Sequence, residues 1–315
     1  MSLQNLQTLL HTVNHGDNNT RAAAQIQLTN YEQQAVPSDV YNLIRQSGSD
    51  SICLAYLLNV LLKLLLDRAE TLQPNERVEL RQFILEFAVA AETAKALPRF
   101  ILIKCGKIIV DCAKLDWPHN YPDFFEQILQ LCANNTLRHL GMGMLVTALE
   151  ELPSRSTRRG RDIPLTNARR IDLQKGITNH LPQIVPTITS ILNDPELCDV
   201  GLAALCQLFS SEFKIQNQVD GPLMDQLFRL MNNPNNPRCS KVINCLTQMV
   251  GRNCIPHDAE GFVMRVSTQM LGTLQAVVEK GEQIQLQQSQ QQQQNQQQNQ
   301  QQNQQQNQVS QKATQ

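Results

Sequence analysis

Within the segment 98–115 four charged residues, Lys104, Lys107, Asp111 and Lys114, are three, four and three positions apart. On a helix that spacing stacks them along one face. A shorter polar stripe, Tyr56, Asn59 and Lys63, has the same period in the apolar stretch 51–68. Such rows suit ion pairing with another protein's surface; an ordinary solvated helix face has the same pattern. A second cluster is Arg155, Arg158, Arg159 and Arg161, with Arg169 and Arg170 after it. It fits a solvated loop, a contact with an acidic partner, or a nuclear-localisation or RNA patch.

Catalytic chemistry has little to stand on. The histidines at 11, 15, 119, 139, 180 and 257 are scattered through turns and helix ends. No H-E-x-x-H, G-x-S-x-G or phosphate-cradling glycine loop occurs. The nine cysteines are odd in number and include no C-x-x-C pair, so neither a disulfide framework nor a zinc site is expected. Most lie in apolar helical stretches and read as small core residues of a reducing compartment. No metal, no cofactor and no enzyme activity is expected. Trp117, the single tryptophan, lies between Asp116 and Pro118. Packing at a corner is the expected role for the ring, and bracing or capping for Asp116. Gly141 and Gly143 fall within a helical stretch and suit close packing.

These residues need helices to hold them. Hydrophobic residues make up 41% of the 315, aromatics only 4%, and few β-branched runs alternate as a half-buried strand requires. Turn signals open or close successive helices at Asn14–Asn19, Pro37, Ser47–Asp50, Pro74, Pro98, Trp117-Pro118, Pro122, Pro153–Pro164, Pro195, Pro222 and Pro237. Pro182 and Pro186 fall inside a long helical period over 167–192 and are expected to kink it. The second helices of successive pairs centre near Gln27, Asn59, Gly106, Met144, Ala204 and Leu246. They recur roughly every 40 residues, with one wider step across the arginine-rich loop, as HEAT or armadillo repeats do. An all-α solenoid of antiparallel helix pairs is the expected fold, since no pair can bury its apolar face alone.

From Gln283 the chain is almost pure Gln and Asn, which offers nothing to bury, and a disordered tail is expected over 283–315. The repeats are expected to divide into 1–115 and 116–282. A formal net charge of −1 gives little sign of the basic surface that nucleic acid needs, though it leaves room for a local patch. The most apolar run, Ile52 to Leu66, contains Asn59 and Lys63 and is too short for a membrane span. The first twenty residues carry no signal-peptide pattern. No membrane and no nucleic acid partner is expected.

Two stretches carry a family likeness. Asn19 to Leu28, with Arg21, Ala24 and Leu28, resembles the opening repeat of importin-β-family receptors. Pro98 through Asp116-Trp117-Pro118, followed by Tyr121-Pro122-Asp123-Phe124-Phe125, resembles the helix, D-W-P corner and aromatic helix start of exportins and importins. Leu145 to Leu152, with paired Glu150 and Glu151, is similar to the next helix, and Arg169-Arg170 opens another as in several exportins. The likeness covers roughly 18–195 and is nearest to the exportin branch that carries actin–profilin; the tryptophan many members place after the second repeat is absent at Leu65–Ala69.

The resemblance implies the N-terminal part of a nuclear transport receptor that shuttles between nucleus and cytoplasm past nuclear pore proteins. In that family the inner wall of the first repeats grips the Ran GTPase in its GTP form. It therefore implies GTPase contact at Tyr56, Asn59, Lys63, Lys104, Lys107, Asp111 and Lys114, and export of a protein cargo. Two rivals stay open: an importin with the opposite coupling, and a HEAT-repeat scaffold indifferent to any GTPase.

Overall fold

The computed structural model describes residues 1–69, 71–153, 163, 165–210, 213, 219, 221–232, 236–251 and 259–312, with side chains described as far as 291 except at 259, 277 and 288–290. Among the described residues there are thirteen helices and no strand. They are α1 (Leu3–His15), α2 (Asn18–Gln34), α3 (Pro37–Gln46), α4 (Ser51–Asp67), α5 (Pro74–Ala94), α6 (Arg99–Asp116) and α7 (Phe124–Ala133). After these come α8 (Arg138–Glu151), α9 (Asn167–Ile191), α10 (Cys198–Ser210), α11 (Gly221–Met231), α12 (Cys239–Gly251) and α13 (Ala259–Lys312).

The starts follow from local chemistry. Asp17, Asp50 and Thr166 accept hydrogen bonds from first-turn amides of α2, α4 and α9. Pro74 opens α5 behind a Gln73/Glu76 capping box. Each helix keeps an apolar stripe, so each must find neighbours.

The stripes are satisfied in two rows. The second helices of the pairs, α2, α4, α6, α8, α10 and α12, pack one against the next. On the other side α7 meets α9, α9 meets α11, and α11 meets α13. Helix pairs stacked in two rows make a HEAT-like solenoid. Buried apolar residues from Leu6 to Val266 form one continuous core. Within α9, Pro182 and Pro186 both lie on exposed positions of an uninterrupted helix.

α13 continues through the Gln/Asn run to Lys312. Glutamine is a good helix former, so backbone propensity can carry the helix where side-chain burial contributes nothing. Among the described residues no helix is long and apolar enough to cross a membrane.

Candidate functional site

α4 buries Cys53, Leu54, Leu57, Leu58, Val60, Leu61, Leu64 and Leu65, which leaves Tyr56, Asn59 and Lys63 along the opposite edge. The Tyr56 hydroxyl donates to the Leu28 carbonyl of α2 at 3.0 Å. Burial, with help from Glu32, pushes its pKa up, so it remains a neutral donor. Lys63 Nζ lies 2.9 Å from Glu32 Oε2. Lys104 Nζ donates to Asn59 Oδ1 at 2.6 Å. Three successive second helices, α2, α4 and α6, thus contribute Glu32, Lys63, Asn59 and Lys104 to one accessible polar row. The Lys63 side chain is 46% exposed. Ion pairs this wet are worth ~1 kcal/mol or less, so an incoming protein can exchange them for its own groups at small cost. Glu32 escaped the sequence reading because its partner is on another helix, 31 residues away.

The rest of the expected stripe turns inward. Asp111 and Lys114 are 0% and 1% exposed, and Lys107 is mostly covered. These residues do not extend the polar row, a correction to the expectation from their spacing. Lys107 Nζ is 2.8 Å from Asp111 Oδ1 and 2.9 Å from Glu151 Oε2. Lys114 Nζ is 3.0 Å from the same Asp111 oxygen and 2.6 Å from Glu151 Oε2. Helical period fixes only that the charges share a face; α8 packs onto that face and its last turn supplies Glu151. α8 lies close to α6 at Gly106, where a Cβ would meet Met144 Cγ at 3.2 Å, while Gly141 lets α8 approach α7, where a Cβ would meet the Cys132 amide nitrogen at 2.5 Å. Gly143, by contrast, faces open space.

Two ammonium groups and two carboxylates balance, which is what makes so dry a cluster tolerable. Burial holds the Asp111 carboxyl above its ordinary value, with Lys114 and Lys107 pulling the other way. Burial also raises Glu151, but hydrogen bonds from Lys114 and Lys107 outweigh it and leave this carboxyl below 4.5. A depressed carboxylate pKa gives stability that is fully present above the unfolded value and lost as pH falls through the folded one. The denaturation midpoint should therefore drop more steeply below about pH 4.5 in the wild type than in Glu151→Gln. Parallel acid titrations of the two proteins would refute this assignment.

At the C-terminal end of α6 the chain turns a braced corner. Asp116, 1% exposed, is 2.8 Å from an Arg77 terminal nitrogen and 3.3 Å from Arg81. The Arg81 guanidinium also lies 4.0 Å over the Tyr121 ring and donates to the Asn120 carbonyl. Trp117 is fully buried against Phe124, Phe125 and His180. The packing role expected of both residues matches their placement.

Arg169 is not offered to a partner. Its guanidinium donates to the carbonyls of Lys114 (3.0 Å), Ala113 and Trp117, closing the open end of α6. A cation there meets the negative end of the helix dipole. Arg170 bonds Asn167 Oδ1 at 2.5 Å. Arg155, Arg158, Arg159 and Arg161 lie outside the described residues.

One surface feature was missed by sequence reasoning. A groove of about 400 Å³ opens between α6, α8 and α10, lined by Leu102, Ile103, Leu140, Met144, Val146 and Val200 among others. Ile103 is 55% exposed there. Its apolar character was invisible because three separate repeats build it. Among the described residues no group of three or more His, Cys, Asp or Glu is placed to hold a metal ion.

Residues 98–246, from the start of α6 into α12, match the model of the exportin 1-like protein family. The chain is 30% identical over 194 residues to Exportin-6-A of Xenopus laevis, covering 61% of this chain and 16% of that protein. It is 29% identical over 176 residues to Exportin-6 of Homo sapiens, covering 52% and 15%. Against Exportin-6 of Danio rerio the identity is 32% over 118 residues, covering 38% and 10%. The aligned part of the chain thus spans 16% or less of the length of these curated relatives.

Proposed function

We propose, from the likeness of residues 98–246 to the exportin 1-like family, that this chain supplies repeats of a nuclear export receptor that bind GTP-loaded Ran and contribute to holding a protein cargo. The observation that carries the reading is the accessible polar row of Glu32, Lys63, Asn59 and Lys104 across three stacked repeats. Tyr56 fixes the edge of that row, and Lys107 lies at its inner limit, half in the buried cluster. The sequence likeness to Exportin-6 proteins supports actin–profilin as the cargo. The apolar groove between α6, α8 and α10 offers a protein surface a place to bury side chains. The receptor would shuttle between nucleus and cytoplasm and meet nuclear pore proteins on the way.

Coupling does the work of transport. If the GTPase and the cargo favour the same curvature of the stack, each raises the other's affinity. Titrating actin–profilin onto the protein with and without GTP-loaded Ran tests this directly. Tighter cargo binding with the GTPase supports export. Weaker binding identifies an importin, and no change identifies a scaffold.

A further inference from the structure

Two cysteines from neighbouring second helices meet in the later repeats. Cys206 of α10 and Cys245 of α12 place their sulfurs 2.7 Å apart. That is only about 0.7 Å beyond the roughly 2.05 Å of a disulfide bond. Cys245 is fully buried and also faces the Leu202 carbonyl at 3.3 Å, whereas Cys206 is half-buried. The Asn244 side-chain amide points at the Cys206 sulfur from 3.9 Å. We propose that Cys206 and Cys245 form a peroxide-oxidisable modification site, whose product is a disulfide joining α10 to α12.

The chemistry closes without a cofactor. The Cys206 thiolate attacks one oxygen of hydrogen peroxide; an S–O bond forms, the O–O bond breaks and hydroxide leaves. The Cys245 sulfur then attacks the Cys206 sulfur. The S–S bond forms, the S–O bond breaks, and the departing hydroxide takes the Cys245 proton as water. Two thiols are oxidised and one peroxide is reduced to two waters. The roles are set by position: Cys206 is the reachable sulfur and Cys245 the resolving one. The hydrogen bond from Cys245 holds the Cys206 thiol below its ordinary value against the pull of burial, while the Cys245 thiol is pushed up. Elsewhere burial dominates, and Cys53, Cys105 and Cys132 are pushed up to about 12. Thiols of that kind resist oxidation. In a reducing compartment such a bond is transient, as expected of a sensor rather than a structural staple. While it lasts it locks one joint of a stack that changes curvature by small rotations between repeats.

The test treats the intact protein with hydrogen peroxide, blocks remaining thiols with N-ethylmaleimide and maps the digest by mass spectrometry. The expected product is a Cys206–Cys245 peptide pair, lighter by two hydrogens and separated by dithiothreitol. Cys206→Ser should abolish it completely. Cys245→Ser should leave Cys206 as a sulfenic acid that dimedone traps. Recovery of both cysteines as maleimide adducts from oxidised wild type overturns the proposal, as does Cys206 pairing with other cysteines. Urea-unfolded protein provides the control: if it forms the same pair as abundantly, the fold does not position the thiols. The wild-type result decides the matter even if a serine variant fails to fold.

Discussion

Replacing Asp116 with alanine is expected to destabilise the fold by about 3–5 kcal/mol, the cost of removing one partner from a buried ion pair. The carboxylate is 1% exposed and Arg77 and Arg81 are 12% and 13% exposed. Without it, two guanidinium groups from one face of α5 confront each other with little water. Arg81 keeps both the Asn120 carbonyl and the Tyr121 ring, whereas Arg77 keeps the Leu72 carbonyl, so more of the damage should fall on Arg77. Arg77→Ala in the Asp116→Ala background should therefore cost far less than Arg77→Ala alone. Urea unfolding of the two single variants and the double variant measures this. A loss under about 1 kcal/mol for Asp116→Ala would show the corner to be an ordinary surface pair.

Trp117→Ala is the second large effect, again about 3–5 kcal/mol, from lost burial and the cavity left behind. The ring fills the space between Phe124, Phe125 and His180, and its far edge lies flat on Gly176 of α9. A Cβ at position 176 would overlap Trp117 Cη2. Gly176→Ala should accordingly cost about 1–3 kcal/mol by overpacking. In the Trp117→Ala background the added methyl enters an empty site, so the same change should be nearly neutral or stabilising. Strict additivity of the two changes would mean that ring and glycine do not touch. Both experiments probe the corner that begins the second half of the repeat stack, within the residues matched to the exportin 1-like family.

Much of this architecture is legible in the sequence because helix starts and stops are local chemistry. Asp50, Pro74 and Pro98 announce helices without reference to the rest of the fold. Repeat spacing then leaves stacking as the way to bury the stripes. The site was legible only in part, and the division falls where local reasoning ends. Lys104, Lys107, Asp111 and Lys114 share a face by period, yet Lys104 reaches Asn59 while Lys114 meets Glu151 of α8. Which half of a helix face the next repeat covers depends on how closely α8 packs on α6, a contact that falls at Gly106 and Met144. Arg169 looked like surface charge, but its acceptors belong to a helix end more than 50 residues earlier.

Charge reversal at Lys63 and Lys104 probes the proposed contact of the row across α2, α4 and α6 with a GTPase in its GTP form. Both side chains make only surface contacts, to Glu32 and Asn59, so the Lys63→Glu, Lys104→Glu variant should melt within a few degrees of wild type. Binding of Ran is then measured by titration calorimetry in both nucleotide states. Wild type is expected to bind the GTP form in preference to the GDP form, and the variant to lose at least about tenfold in affinity for it. Equal binding of both nucleotide forms, or undiminished affinity in a correctly folded variant, would contradict the proposed contact.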